Sequence, residues 1–350
     1  MNIRMMNTRI GFLLLLGLLT SACQPPPEPV YKQQLFAFGT VIDITTEGTN
    51  TEQARSAVQA VDTLYQQEHR DWHAWQRGAL DDLNHAIAAG KPWQTDPSIV
   101  RLIRLGQMFE RLSDGLFNPA IGELLSLWGF QQDETPDGPP PPAKIANWLS
   151  HKPSSLQLSI KGATVSSSNP HVRLDFGGFA KGYSVGKAVD LLENRGIRNL
   201  IVNAGGDLCL RGSHGGKPWR IGIRNPSTDG VVATLASKGP TCVFTSGDYE
   251  RYFTFKGRRY SHILDPRSGY PATGTRSVTV VADDPALADA AATALFIAGP
   301  ERWQAIAVRM GILEVLRIDD QNIAWVTPRL AKRITFDPAW KSIRIVPLVP

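Results

Sequence analysis

His262, Asp265 and Arg267 fall within six residues of one another in His262-Ile263-Leu264-Asp265-Pro266-Arg267-Ser268-Gly269-Tyr270-Pro271. Imidazole is the side chain suited to moving protons near neutral pH. Two prolines stiffen the loop that joins it to a carboxylate and a guanidinium. Asp289 and Thr293 stand four residues apart in Ala288-Asp289-Ala290-Ala291-Ala292-Thr293-Ala294. On a helix both oxygens then project from one face. A carboxylate and a hydroxyl are hard donors, suited to Mg²⁺ and not to Zn²⁺. The alanines between them suit a helix packed closely on a neighbour, and a buried aspartate bonded to a threonine explains the pair equally well. The sequence has no HExxH, no CxxC and no His/Cys cluster.

Three glycine-bearing segments add to these. Leu174-Asp175-Phe176-Gly177-Gly178-Phe179-Ala180-Lys181-Gly182-Tyr183 runs from an apolar lead-in through two glycines into a helix. Glycines let backbone approach a ligand, and a helix N-terminus offers unpaired N–H groups to an anion. Lys181, in the first turn, adds a cation for phosphate. The segment matches neither a Walker loop nor a dinucleotide fingerprint. Asn203-Ala204-Gly205-Gly206-Asp207 reads as a hairpin turn, and Thr245-Ser246-Gly247-Asp248-Tyr249-Glu250-Arg251 as a polar loop; either is a turn or a ligand contact.

The elements that must position these residues follow from periodicity. Residues 35–46 alternate as a strand. Helices are expected over 51–68, 97–112, 143–149, 179–193, 285–297 and 300–310. Strands are expected near 156–160, 163–165, 199–203, 207–212, 218–223, 231–237, 241–245, 251–255, 277–282, 312–317 and 322–326. Strands clustered between helical blocks indicate an α+β fold. The proline-rich stretch 131–142 reads as a loop inserted within one domain.

Charged residues make up 20% of the chain and the net charge is +5. Arg4 and Arg9 are the only charges in residues 1–22, so the remainder carries 35 basic against 32 acidic residues. That balance excludes a nucleic-acid stripe. The apolar run Ile10–Leu19 spans roughly half a bilayer core, a signal-peptide length and not a membrane span. Small residues before Cys23, then Gln24-Pro25-Pro26-Pro27, are similar to a bacterial lipoprotein signal. The organisation expected is a signal peptide over 1–22, an acylated Cys23 opening a tether over 23–34, and a globular domain over 35–346. Cys209 and Cys242 sit among strand-like residues; outside the cytoplasm a disulfide is permitted, and two buried thiols fit equally well.

In this order and spacing, LDFGGFAKGY, NAGGD, TSGDYER, HILDPRSGYP and ADAAATALF resemble the bacterial FAD:protein FMN transferases, the ApbE-type flavin transferases. The resemblance extends to Gly39-Thr40, Leu83-Asn84, Ser113–Pro119 and Leu127–Phe130. It implies mixed, largely antiparallel sheets with packed helices. It also implies Mg²⁺-dependent cleavage of FAD, with FMN passed to a Thr or Ser hydroxyl of an exported acceptor protein as a phosphoester while AMP leaves. By resemblance, Asp289, Thr293 and the Ala180 carbonyl hold the metal. Asp175, Lys181, Leu116, Phe117 and Asn118 contact FAD, with Asn118 replacing an aspartate. Phe38 stands in place of a methionine, and Trp75 in place of a tyrosine that stacks on the flavin. His262 is the active-site histidine; it, or Asp265 beside it, would deprotonate the incoming hydroxyl. The membrane-bound targets of such enzymes imply anchoring on the periplasmic side of the inner membrane. Two alternatives stay open: hydrolysis of FAD to FMN and AMP, and a lipid-anchored flavin carrier without turnover.

Overall fold

In the computed structural model, which describes residues 29–131 and 134–349, a nine-stranded sheet runs through the centre. Its strands lie side by side in their order along the chain: Val30–Ala37, Thr40–Glu47, Asn199–Ala204, Asp207–Arg211, Thr241–Gly247, Ser277–Ala282, Glu314–Ile318, Ala324–Val326 and Ile343–Ile345. Every neighbouring pair is antiparallel except the last, which is parallel. Among the described residues the helices are α1 (Thr51–Trp72), α2 (Ala79–Ala88), α3 (Pro97–Leu112), α4 (Gly122–Leu127), α5 (Pro142–His151), α6 (Ala180–Asn194), α7 (Pro285–Arg309) and α8 (Pro328–Ala331). This is the α+β, largely antiparallel arrangement expected.

The sheet is buried on both faces because its strands carry apolar residues at both parities. Phe244, Val278 and Val280 face a core built with Val58 and Val61 of α1, Val185 and Val189 of α6, and Ala290 and Ala294 of α7. Val243 and Val281 face the other way, onto Ile221, Ile223, Val232 and Leu235 of a second, three-stranded sheet. A third cluster joins Trp128 of the α4 end and Trp148 of α5 to Phe253.

Helix starts follow local chemistry. Asn50 accepts the Gln53 N–H at 2.8 Å to cap α1, Asp96 accepts that of Ser98 at 2.7 Å before Pro97, and Asp284 accepts that of Leu287 at 3.0 Å before Pro285. The two helices expected after Pro285 are both present within α7, separated at Gly299, whose φ of 65° breaks the helix before Pro300. Helix α2 was not expected.

One expected boundary moves. Residues 30–34 are not tether: Val30 pairs with Glu47 and the ladder continues to Ala37 opposite Thr40. The polar Lys32, Gln33 and Gln34 are tolerated there because the strand is the sheet's edge. Residues 1–28, with Cys23, lie outside the described residues. Among the described residues no helix is long and apolar enough to cross a membrane.

Candidate active site

A cavity of about 640 Å³ opens between the central sheet, the α6 N-terminus and the loops after α3 and before Ser277. It is lined by Phe38, Trp75, Leu116, Phe117, Asn118, Asp175, Lys181, His262, Asp289 and Thr293. Six distant segments of sequence therefore meet in one place.

The charged part is built by helix packing. Gly182 and Gly186 of α6 lie against the start of α7; a Cβ on Gly182 would sit 2.7 Å from the Asp289 Cβ, and one on Gly186 2.7 Å from Pro285 Cγ. This closeness lets the Asp289 carboxylate accept the Gly182 N–H at 2.8 Å. Asp289 is thus bonded to the neighbouring helix, not to Thr293, whose hydroxyl meets Ser246 Oγ at 3.1 Å. Lys181 Nζ bonds the Asp207 carboxylate, which also accepts the Thr245 N–H at 2.8 Å. Burial, then the nearby Asp207 charge, push the Asp289 pKa up to about 8, against the opposing Lys181 and Gly182 N–H. Burial disfavours the Lys181 ammonium, but Asp207 and Asp289 outweigh it and hold its pKa above the ordinary lysine value.

A disulfide between Cys209 and Cys242 ties the two adjacent strands that carry Asp207 and Thr245. Asp175 Oδ1 accepts the Gly177 N–H at 2.7 Å and so shapes the glycine turn. A Cβ on Gly178 would lie 3.0 Å from the Phe117 ring, so that ring reaches the cavity only past a glycine. Asn118 serves the loop as a neutral amide: it donates to the Pro153 carbonyl at 2.9 Å and accepts the Ala120 N–H at 2.8 Å.

His262 Nδ1 and its main-chain N–H both meet the Arg251 carbonyl at 3.0 Å. The carbonyl accepts, so the proton sits on Nδ1 and Nε2 is the ring's basic nitrogen. Burial and the Arg251 charge push its pKa down to about 4, and the ring is neutral.

Two expected site residues fall outside the cavity lining. Asp265 is turned to its own loop: it binds Arg267 Nε at 2.9 Å and Nη2 at 2.8 Å and accepts the Arg267 N–H at 2.9 Å. The carboxylate shapes the turn that presents His262 and is not placed to take a proton in the cavity. Ala180 opens α6 immediately before Lys181, and its side chain does not line the cavity.

Asp207, Ser246 and Arg251 line the cavity, so the two segments that read as a turn or a ligand contact are at the site, although no single residue of theirs was given a role. The signal was available for Asp207: an acidic residue directly after twin glycines, in a chain with a lysine at another glycine turn.

Among the described residues no group of three His, Cys, Asp or Glu is arranged to hold a metal. The donors that Asp289 and Thr293 offer do fit a hard dication that keeps water or phosphate oxygens as its remaining ligands. A buried carboxylate with a pKa near 8 is one that a cation would relieve.

The ApbE family matches residues 38–316. A FAD:protein FMN transferase from Rhodobacter capsulatus is 41% identical over 329 residues, covering 93% of this chain; the chain spans 63% of that relative's length. One from Vibrio cholerae is 29% identical, with 87% and 92% of the two chains covered. An ApbE protein of Thermotoga maritima superposes with a TM-score of 0.80 at 30% identity, over 87% of this chain and 99% of that one.

Proposed function

The chain belongs to the ApbE family, and we infer from its cavity that it transfers FMN from FAD to a hydroxyl of a protein. The observation that carries this is the union, in one cavity, of aromatic residues, a lysine at a glycine-led helix N-terminus, a hydroxyl–carboxylate pair and a neutral histidine.

Phe38, Trp75 and Phe117 supply flat apolar surface for an isoalloxazine. Lys181 and the Gly178 N–H receive the pyrophosphate, the Gly177 N–H being held by Asp175. A Thr or Ser hydroxyl of the acceptor attacks the phosphorus nearest riboflavin. The new O–P bond forms as the P–O bond to AMP breaks, and the hydroxyl proton passes to His262 Nε2. The incoming anion offsets Arg251 and Lys181, two of the influences that depress this histidine. Asp289, Thr293 and the Ala180 carbonyl would hold Mg²⁺, which supplies charge neutralisation on the phosphate oxygens.

Incubation with FAD, Mg²⁺ and an acceptor protein is the test, scored for covalent flavin fluorescence on a denaturing gel and for AMP. Both signals with acceptor present support transfer. AMP released at the same rate without acceptor, and no labelled protein, would identify a FAD hydrolase. Binding without AMP would identify a carrier.

Export and lipid anchoring at Cys23 on the periplasmic side of the inner membrane belong to the same reading. The signal-like residues before Cys23 and the Cys209–Cys242 disulfide support it. Fatty-acid label retained by Cys23→Ser would refute it.

A further inference from the structure

Phe38 is a bulky residue in the left-handed region, with φ of 53°, at the hairpin turn before Gly39. Such a conformation is costly and persists only where surroundings fix it. Its ring meets Tyr65 and His69 edge-on at 5.6 and 5.9 Å and stacks on Trp72 at 6.4 Å. Its N–H donates to His69 Nδ1 at 3.3 Å. One turn further along, His73 ends α1, and its Nδ1 accepts the N–H groups of Trp75 and Gln76, each at 3.1 Å. An imidazole nitrogen accepts only while unprotonated, so both rings are neutral. Their centroids are 5.4 Å apart. Neither ring lines the cavity; the two residues they hold, Phe38 and Trp75, both do.

We propose that neutral His69 and His73 are positioning residues for flavin recognition: they fix Phe38 and Trp75 through main-chain hydrogen bonds, and protonation of His73 in mild acid releases Trp75. This rests on the flavin reading of Phe38 and Trp75. Glu68, Arg70 and Asp71 flank the pair on α1, with the buried Tyr65 hydroxyl one turn earlier. Glu68 is already bonded to Ser184 and Lys187 of α6. Lys187 also lies 5.7 Å over the Trp72 ring, and Arg173 lies 4.6 Å over Trp75. Asp175 also meets Trp75, accepting a hydrogen bond from its side chain, and burial raises the pKa of that carboxyl. Burial and then His69 lower the His73 pKa from 6.5, so acid below that value favours the released state.

The test follows the amide resonances of Phe38, Trp75 and Gln76 in ¹⁵N-labelled, flavin-free protein from about pH 7.5 to about pH 5, spanning the histidine range. Riboflavin affinity is measured over the same range, since riboflavin lacks the phosphates that the other charged groups would sense. In the wild type the Trp75 and Gln76 amides shift together, with a midpoint below 6.5. Over the same span riboflavin affinity falls about tenfold, the scale of one to two lost hydrogen bonds. In the double variant His69→Asn, His73→Asn, an amide oxygen stands in for each Nδ1 and cannot titrate; its Trp75 and Gln76 amides and its affinity no longer respond to pH. His73→Ala has weakened affinity at every pH. Wild-type amides that do not titrate, or a double variant that keeps the wild-type pH response, would overturn the proposal. Titrating amides in a wild type that fails to bind riboflavin near neutrality would instead overturn the flavin reading on which it rests.

Discussion

The charged and the aromatic parts of the cavity are held in different ways. Lys181, Asp207 and Asp289 come from α6, a disulfide-tied strand and α7, and each bonds another element. Their supports are helices packed through glycine and a sheet buried on both faces. Phe38 and Trp75 stand on a hairpin turn and at a helix end, each fixed by hydrogen bonds to a half-buried imidazole. Groups placed to handle phosphate are each tied to a second element, the preorganisation that charge stabilisation requires. Groups placed to grip a flat ring hang on bonds that a proton can break. On the proposed function, rigidity is concentrated where charge would develop, and responsiveness where the substrate would be recognised.

Asp289→Asn breaks the charged part most severely. It should lower Mg²⁺-dependent AMP release about a hundredfold or more, the scale of losing a main electrostatic group. Without Mg²⁺ it should also stabilise the fold at alkaline pH. The folded carboxylate has its pKa raised from 3.8 to about 8, so the folded state binds this proton more tightly than the unfolded chain. Stability from that proton is complete below the lower value, declines between the two and is gone above the upper one. Asparagine keeps an oxygen for the Gly182 N–H and carries no charge, so it escapes the decline. Melting curves in a chelator, at acidic and alkaline pH, measure this. If the wild type melts no lower than Asp289→Asn at alkaline pH, the carboxylate is an ordinary structural cap.

Gly182→Ala tests the packing that holds Asp289 in place. The new methyl would press on the Asp289 Cβ and the Pro285 carbonyl, forcing α6 and α7 apart. Overpacking of this kind costs about 1–3 kcal/mol. Denaturant midpoints read it, and FAD turnover should fall with it because Asp289 loses its donor. An unchanged midpoint would mean that the charged part is as compliant as the aromatic one.

These contrasts were unequally legible in the sequence. Asp289 and Thr293 announce themselves by helical spacing, and Lys181 by its place after twin glycines. Which atoms they bond was not legible: Thr293 meets Ser246, 47 residues away, and Lys181 meets Asp207, 26 residues away. Phe38, Trp75 and Asn118 stood out only through the family resemblance, because a lone aromatic or amide in a loop has no periodicity to betray it. His69 and His73 lie four apart on α1 like any surface pair, and their partners belong to a turn and a helix end that only the tertiary fold brings near. The α+β class was readable because alternation marks sheet faces; the precedence of Val30 over Leu35 as the first sheet residue was not, since Lys32, Gln33 and Gln34 read as tether until an edge strand claims them.

Asp265→Asn should have the smallest effect, and it separates proximity in sequence from proximity in space. Asp265 stands three residues from His262, which made it a candidate base. Its carboxylate is instead taken by Arg267, and it does not line the cavity. Asparagine at this position retains an oxygen for the Arg267 N–H, so the turn keeps its shape; only the ion pair is lost. The Arg267 side chain is 46% exposed, and a pair so open to water is worth at most about 1 kcal/mol. AMP release should therefore stay within about twofold of the wild type, far less than the loss from removing one essential electrostatic contact. His262→Ala, three residues away, should lose most turnover while retaining FAD binding, because the carbonyl that orients its ring belongs to Arg251 and not to Asp265. A large fall in turnover for Asp265→Asn, with FAD affinity and melting temperature held, would return Asp265 to the reaction and remove His262 as its sole base.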